Sequence, residues 1–141
     1  MTDVVDKATR SRMMSGIRGR DTKPELFVRR TLHAQGFRYR LGGAGLPGRP
    51  DLVFPSRKVV VFIHGCFWHK HDCRFFKWPE TNREFWLQKI NKNVVRDHIA
   101  LSTLESMGWT VLVVWECELR ETRFKLPNHA IESISRVLKN T

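Results

Sequence analysis

Apolar residues recur along this chain with two different periods, and the switches between them mark out its elements. Leu26, Phe27, Val28 and Leu32 follow helical spacing, which predicts a helix that stops at Gly36. Thr22-Lys23-Pro24-Glu25 has the form of a capping box, with Thr22 holding the first amides and Glu25 reaching back. Phe37-Arg38-Tyr39-Arg40-Leu41 then alternates with period two, as a half-buried strand does. After a glycine-rich loop closed by Leu46-Pro47-Gly48-Arg49-Pro50, the runs 51–54 and 59–63 flank a Pro55-Ser56-Arg57-Lys58 turn and predict a hairpin. Residues 64–80 have no regular period. A long helix is expected from about 82 to 107, with Trp86, Ile90, Val94, Leu101 and Leu104 on one stripe. The strongly apolar run 109–115 reads as a central strand, and Ile131, Ile134 and Leu138 mark a last helix from about 128. The order α-β-β-β-α-β-α implies an α/β domain with a mixed sheet flanked by helices.

Charge changes the picture next. The chain has 25 Lys and Arg against 14 Asp and Glu, a net +11 over 141 residues. Such a surplus selects a polyanionic partner, of which nucleic acid is the usual one. Lys7, Arg10, Arg12, Arg18 and Arg20 form a basic N-terminal arm with no acid between residues 7 and 20, suited to phosphate contact. No apolar run reaches the roughly 20 residues that span a bilayer. The first residues have neither the basic nor the apolar segment of an export signal, so a cytoplasmic protein with no membrane contact is expected.

The hairpin carries candidate chemistry. A regular four-residue turn sets Phe54 opposite Val59 and Asp51 opposite Phe62, so Asp51 and His64 project to one side at its open end. The backbone carbonyl of Ile63 lies between them. A carboxylate beside an exposed carbonyl is hard-oxygen coordination suited to Mg²⁺. An aspartate after Pro50 also serves simply as a turn residue. This outline matches the nuclease core of many restriction enzymes, although Phe62-Ile63-His64 stands where an acid and a lysine are usual.

Longer motifs narrow the reading. Phe62-Ile63-His64-Gly65-Cys66-Phe67-Trp68-His69-Lys70-His71-Asp72-Cys73 resembles the very-short-patch repair endonucleases. So do Asp6-Lys7-Ala8-Thr9-Arg10-Ser11, Leu46-Pro47-Gly48-Arg49-Pro50-Asp51, Glu84-Phe85-Trp86-Leu87-Gln88-Lys89-Ile90 and Val114-Trp115-Glu116-Cys117. The resemblance spans about residues 3–120, and in that family Phe-x-His replaces the acid-and-lysine motif. It implies a restriction-endonuclease-like fold: a basic arm over 1–21, a nuclease core over 22–120 and a C-terminal helix over 121–141. It also implies a strand-specific nick 5′ to the thymine of a T:G mismatch, leaving a 5′-phosphate and a 3′-hydroxyl.

Residue roles follow from the same resemblance. His69 is the implied general base, an imidazole able to take a proton at neutral pH. Glu25 stands beside it, with the capping box as its competing use. His64 contacts the scissile phosphate or the leaving group, and Asp51 with the Ile63 carbonyl holds catalytic Mg²⁺. Cys66, His71, Cys73 and Cys117 use every cysteine in the chain and form a full tetrahedral Zn²⁺ set with no open position, hence a structural site. Phe67, Trp68 and Trp86 match an intercalating wedge, and Met14 a residue inserted from the minor groove. Core packing competes for Trp86, and a methionine-rich helix face for Met14. Lys7, Arg10 and Arg12 complete the DNA contacts. Trp109 and Trp115 are expected in the core, and His33, His98 and His129 away from the site.

The implied substrate is double-stranded DNA, the implied state a monomer active on the nucleoid, and the implied functional link a DNA cytosine-5 methyltransferase. Two further readings stand beside this one: a double-strand restriction endonuclease, which would dimerise, and a non-catalytic zinc-stabilised DNA-binding protein.

Overall fold

The computed structural model describes residues 22–41, 43, 45–74 and 76–141. Lys7, Arg10, Arg12, Met14 and the rest of the arm lie outside the described residues. Four strands form one sheet in the order β1-β2-β3-β4. They are β1 Arg40–Leu41, β2 Leu52–Phe54, β3 Val59–His64 and β4 Thr110–Trp115. The helices are α1 Lys23–Ala34, α2 Arg83–Ser106, α3 Glu116–Arg120 and α4 His129–Lys139. The first two pairings are antiparallel and β3–β4 is parallel, which gives the expected mixed sheet. The hairpin register is as predicted, with Phe54 opposite Val59 and Leu52 opposite Val61.

Side-chain alternation divides the core into two layers. Leu52, Phe54, Val59 and Val61 face α1 and α4, where Val28, Leu32, Ile131, Ile134 and Leu138 complete one cluster. Val53, Val60 and Phe62 face the other way, toward Leu104 of α2. His64 has the parity of Phe62, and Asp51 that of Val53, so both belong to the α2 face at the end of the hairpin.

Local details differ from expectation in three places. Burial alternates from Phe37 to Arg40 but fails at Leu41, which is exposed beside Arg40, and only Arg40 and Leu41 pair with β2. The apolar run near 109–115 is not central: among the described strands β4 is an edge, paired only with β3. Its apolar character comes from cover on both faces, Val111 and Val113 on the α2 side and Leu112 and Val114 on the other. The capping box does not form. Thr22 precedes α1 without a side-chain capping bond, and Glu25 is instead buried against Arg29, one turn on, at 2.8 Å. The last helix does carry a side-chain cap, Asn128 accepting from the amides of Ala130 and Ile131, an arrangement worth about 1 kcal/mol.

One glycine sets the position of the Asp51 loop. Gly48 has φ +72, and a Cβ there would lie 2.7 Å from the Ala100 Cβ of α2 and 3.2 Å from the Phe62 ring. The missing side chain lets the loop rest directly on the long helix. No helix among the described residues is long and apolar enough to cross a membrane.

Candidate active site and metal centre

A cleft of roughly 730 Å³ opens at the end of the hairpin, lined by Glu25, Asp51, His64, Trp68, His69 and Asp97 among others. Each arrives from a different element. Asp51 precedes β2, His64 ends β3, and Trp68 and His69 come from the irregular loop. Glu25 comes from the first turn of α1 and Asp97 from the middle of α2. Asp51 is anchored by the Ile63 amide, which donates to its Oδ2 at 2.7 Å. In an extended strand a residue's carbonyl points to the same edge as its amide, so the Ile63 carbonyl also faces the Asp51 side. Burial pushes the Asp51 carboxyl up to about 6, against the pull of the Ile63 amide and with a further push from Glu25. A half-buried carboxylate raised in this way gains strongly from a bound cation. The donor set of Asp51 and a main-chain carbonyl fits a hard divalent ion.

The two histidines lie ring on ring, 3.8 Å apart and 4° from parallel. His69 donates from Nδ1 to Oδ2 of Asp97. That bond selects the tautomer with Nε2 as proton acceptor, the orientation a general base needs. His64 is 5% exposed, and burial followed by its neighbour His69 lowers it to about 3. It is therefore a neutral ring able to exchange hydrogen bonds, not a resident cation. Asn93, one turn before Asp97, donates to the Trp68 carbonyl at 3.2 Å and ties the loop to α2.

A second centre lies beyond the same loop. One donor atom from each of Cys66, His71, Cys73 and Cys117 falls within 4.8 Å of the others. A zinc–thiolate tetrahedron has edges of about 3.8 Å, so a modest contraction would close the set on a metal ion. The Cys117 amide donates to Cys66 Sγ at 3.4 Å, and Cys117 Sγ lies 3.4 Å from His71 Nδ1. Burial pushes the Cys66 and Cys117 thiols up, so a bound cation would have to stabilise their thiolates.

Phe67, Trp68 and Trp86 gather in one aromatic cluster. Their ring centroids are 5.2 to 5.7 Å apart, and all three are half-buried. Phe85, 57% exposed, extends the group beside Trp86.

Several residues of the site had escaped the sequence reading. Asp97 and Asn93 interrupt the apolar stripe of α2 between Ile90 and Leu101, and polar residues on that stripe were the available signal. Trp115, expected in the core, stands instead between the two centres, stacked on His71 and perpendicular to His64. His33, His98 and His129 are exposed and do not line the cleft.

A mixed sheet flanked by helices, with a carboxylate and a histidine at the open end of its hairpin, defines a nuclease of restriction-endonuclease-like architecture. Comparison with known proteins sharpens this. Residues 2–75 match the family described as DNA mismatch endonuclease Vsr. The DNA mismatch endonuclease Vsr of Escherichia coli is 52% identical over 131 residues, covering 93% of this chain and 83% of the relative. The type II nicking enzyme V.XorIIP of Xanthomonas oryzae is 46% identical, covering 86% and 89%. V.NmeAIP of Neisseria meningitidis, also named a type II nicking enzyme, is 48% identical, covering 85% and 86%. The chain belongs to the Vsr DNA mismatch endonuclease family. It is an endonuclease, and its substrate is DNA.

Proposed function

We propose that the chain nicks one strand of duplex DNA on the 5′ side of the thymine in a T:G mismatch. The observation that carries this reading is the convergence of Asp51, His64, His69 and Asp97 in one cleft beside the aromatic group Phe67, Trp68 and Trp86. His69, held by Asp97, takes the proton from the attacking water through Nε2. The water oxygen forms its bond to phosphorus as the bond to the 3′-oxygen breaks, and the departing oxygen takes a proton from solvent water, leaving a 3′-hydroxyl and a 5′-phosphate. His64 hydrogen-bonds the phosphate or the departing oxygen, and Glu25 acts beside the Asp51 carboxylate. Mg²⁺, held by Asp51 and the Ile63 carbonyl, would supply Lewis-acid stabilisation of the developing charge.

Recognition rests on the wedge. Unstacking a base step costs a few kcal/mol, and less at a mismatch, so Phe67, Trp68 and Trp86 select the deformable step. Lys7, Arg10, Arg12 and Met14 in the 1–21 arm would add phosphate and minor-groove contacts, with the nuclease core over 22–120 and the C-terminal helix over 121–141. Cys66, His71, Cys73 and Cys117 hold a structural Zn²⁺. The enzyme acts as a monomer in the cytoplasm, on nucleoid DNA. It is linked functionally to a cytosine-5 methyltransferase, since deamination of 5-methylcytosine yields thymine opposite guanine.

A strand-resolved nicking assay on a panel of T:G duplexes with varied flanks, beside A:T controls and with Mg²⁺ present, tests the reading. One-strand cleavage confined to T:G duplexes supports it. Cleavage of both strands, or equal cleavage of A:T duplexes, overturns it.

A further inference from the structure

The two centres share one aromatic ring. Trp115 is the last residue of β4 and pairs in register with His64, the last residue of β3. Its ring stacks on the His71 imidazole, with centroids 4.1 Å apart and planes 11° from parallel. It also meets His64 at 5.1 Å and 71°, and His69 at 6.2 Å and 73°. Cys117 follows two residues later, so backbone and side chain alike join Trp115 to the cysteine-rich set.

The need for such a contact is visible at His64. Its Nδ1 is buried and has no hydrogen-bond partner among the described residues. An imidazole with no bond at its buried nitrogen depends on packing to fix that edge of the ring. The packing surfaces are Trp115, His69 and Phe62, the last with its ring centroid 5.5 Å away. His69 is tied to Asp97, and its ring lies directly on that of His64. A shift of Trp115 would therefore rotate or translate both histidines.

We infer that Trp115 is a positioning residue through which the Cys66, His71, Cys73 and Cys117 centre sets the pose of His64 and His69. The inference rests on the catalytic reading of those two histidines. In this arrangement the cysteine-rich centre does more than pin a loop. It holds His71 flat against the indole, and the indole then bounds the space in which the catalytic rings can turn.

The experiment compares full-length Trp115→Phe and Trp115→Leu with the parent protein. It measures zinc content, kcat and KM on a T:G duplex, and the ring-proton NMR signals of His64 and His69. The expected result is a graded fall in kcat, small for Phe and roughly 10- to 100-fold for Leu. KM and zinc content should be unchanged, and the His64 and His69 signals should move in step with kcat. Unchanged kcat in both variants overturns the inference, as does a fall in kcat with unmoved histidine signals. Should the Leu variant fail to fold, the Phe variant decides by the same two readings. His69→Ala in the same assay separates the two layers of argument. A fully active His69→Ala enzyme removes the catalytic reading itself. An inactive one beside unaffected Trp115 variants removes only the role given to Trp115.

Discussion

The loop that follows β3 serves two centres built from opposite chemistry. On one side, three thiols and an imidazole lie within 4.8 Å of one another, the number of donors that fills a tetrahedral shell. On the other, a carboxylate, a main-chain carbonyl and a stacked histidine pair line a cleft of roughly 730 Å³. Soft donors in a closed set suit an ion that stays and holds the fold. Hard donors at an open cleft suit one that shares its shell with water and phosphate. Two sites whose residues interleave in sequence can thus do unlike work, because donor type and openness decide what each can bind.

The largest effect that would sharpen this contrast comes from the open site. Asp51→Ala should lower the nicking rate by roughly 10³-fold or more, with mismatch binding in gel shift changed only a few-fold. Full activity in that variant would remove Asp51 from the chemistry. Trp68→Ala comes next. Loss of one stacking surface is worth about 1–3 kcal/mol, so the preference for T:G over A:T duplex should fall by roughly tenfold or more in competition binding. An unaltered preference would return Trp68 to a packing role.

The closed site should respond in stability instead. Cys117→Ser should lose zinc by elemental analysis and unfold earlier on heating, each kcal/mol lost lowering the midpoint by about 3–5 °C at this chain length. Undiminished zinc content would take Cys117 out of the ligand set. The smallest effect is a pH dependence. With Asp51 raised to about 6 from 3.8, the unfolded chain loses this proton first as pH rises. The metal-free fold therefore loses stability from this group between about pH 4 and 6 and recovers none of it above. A cation on the ionised carboxylate offsets the loss, so Mg²⁺ should raise the melting temperature more at pH 7.5 than at pH 5. The concentration of Mg²⁺ needed for half-maximal nicking should climb as pH falls below 6. A Mg²⁺ response independent of pH would argue against Asp51 as its ligand.

Much of this architecture was legible because local pattern and tertiary structure agree. Period-two alternation and a four-residue turn were enough to set the β2–β3 register, and with it the shared side of Asp51 and His64. Helical spacing located α2, and the family resemblance, not spacing alone, grouped three cysteines with His71, whose donor atoms the fold brings within 4.8 Å of one another. Misreadings arose where a residue's partner comes from a distant element. Glu25 looked like a cap because its sequence neighbours allow it, whereas its burial against Arg29 depends on where α1 meets the sheet. Strand β4 looked central because apolar content records cover on both faces and says nothing of how many strands lie beside it. Asp97 was missed because a single acid on a long helix has many uses, and only its bond to His69 selects one.

The segment from Cys66 to Cys73 has one further consequence. Within eight positions it supplies three donors of the closed set and, in the proposed mechanism, two rings of the wedge and the residue that takes the proton. A substitution there disturbs several duties at once, which leaves little freedom to retune one alone. A change of flanking-base preference would therefore come more readily from positions outside this segment, where a substitution carries a single cost. Libraries seeking altered sequence preference should hold 66–73 constant and vary the outward positions of α2 and the loop before Asp51.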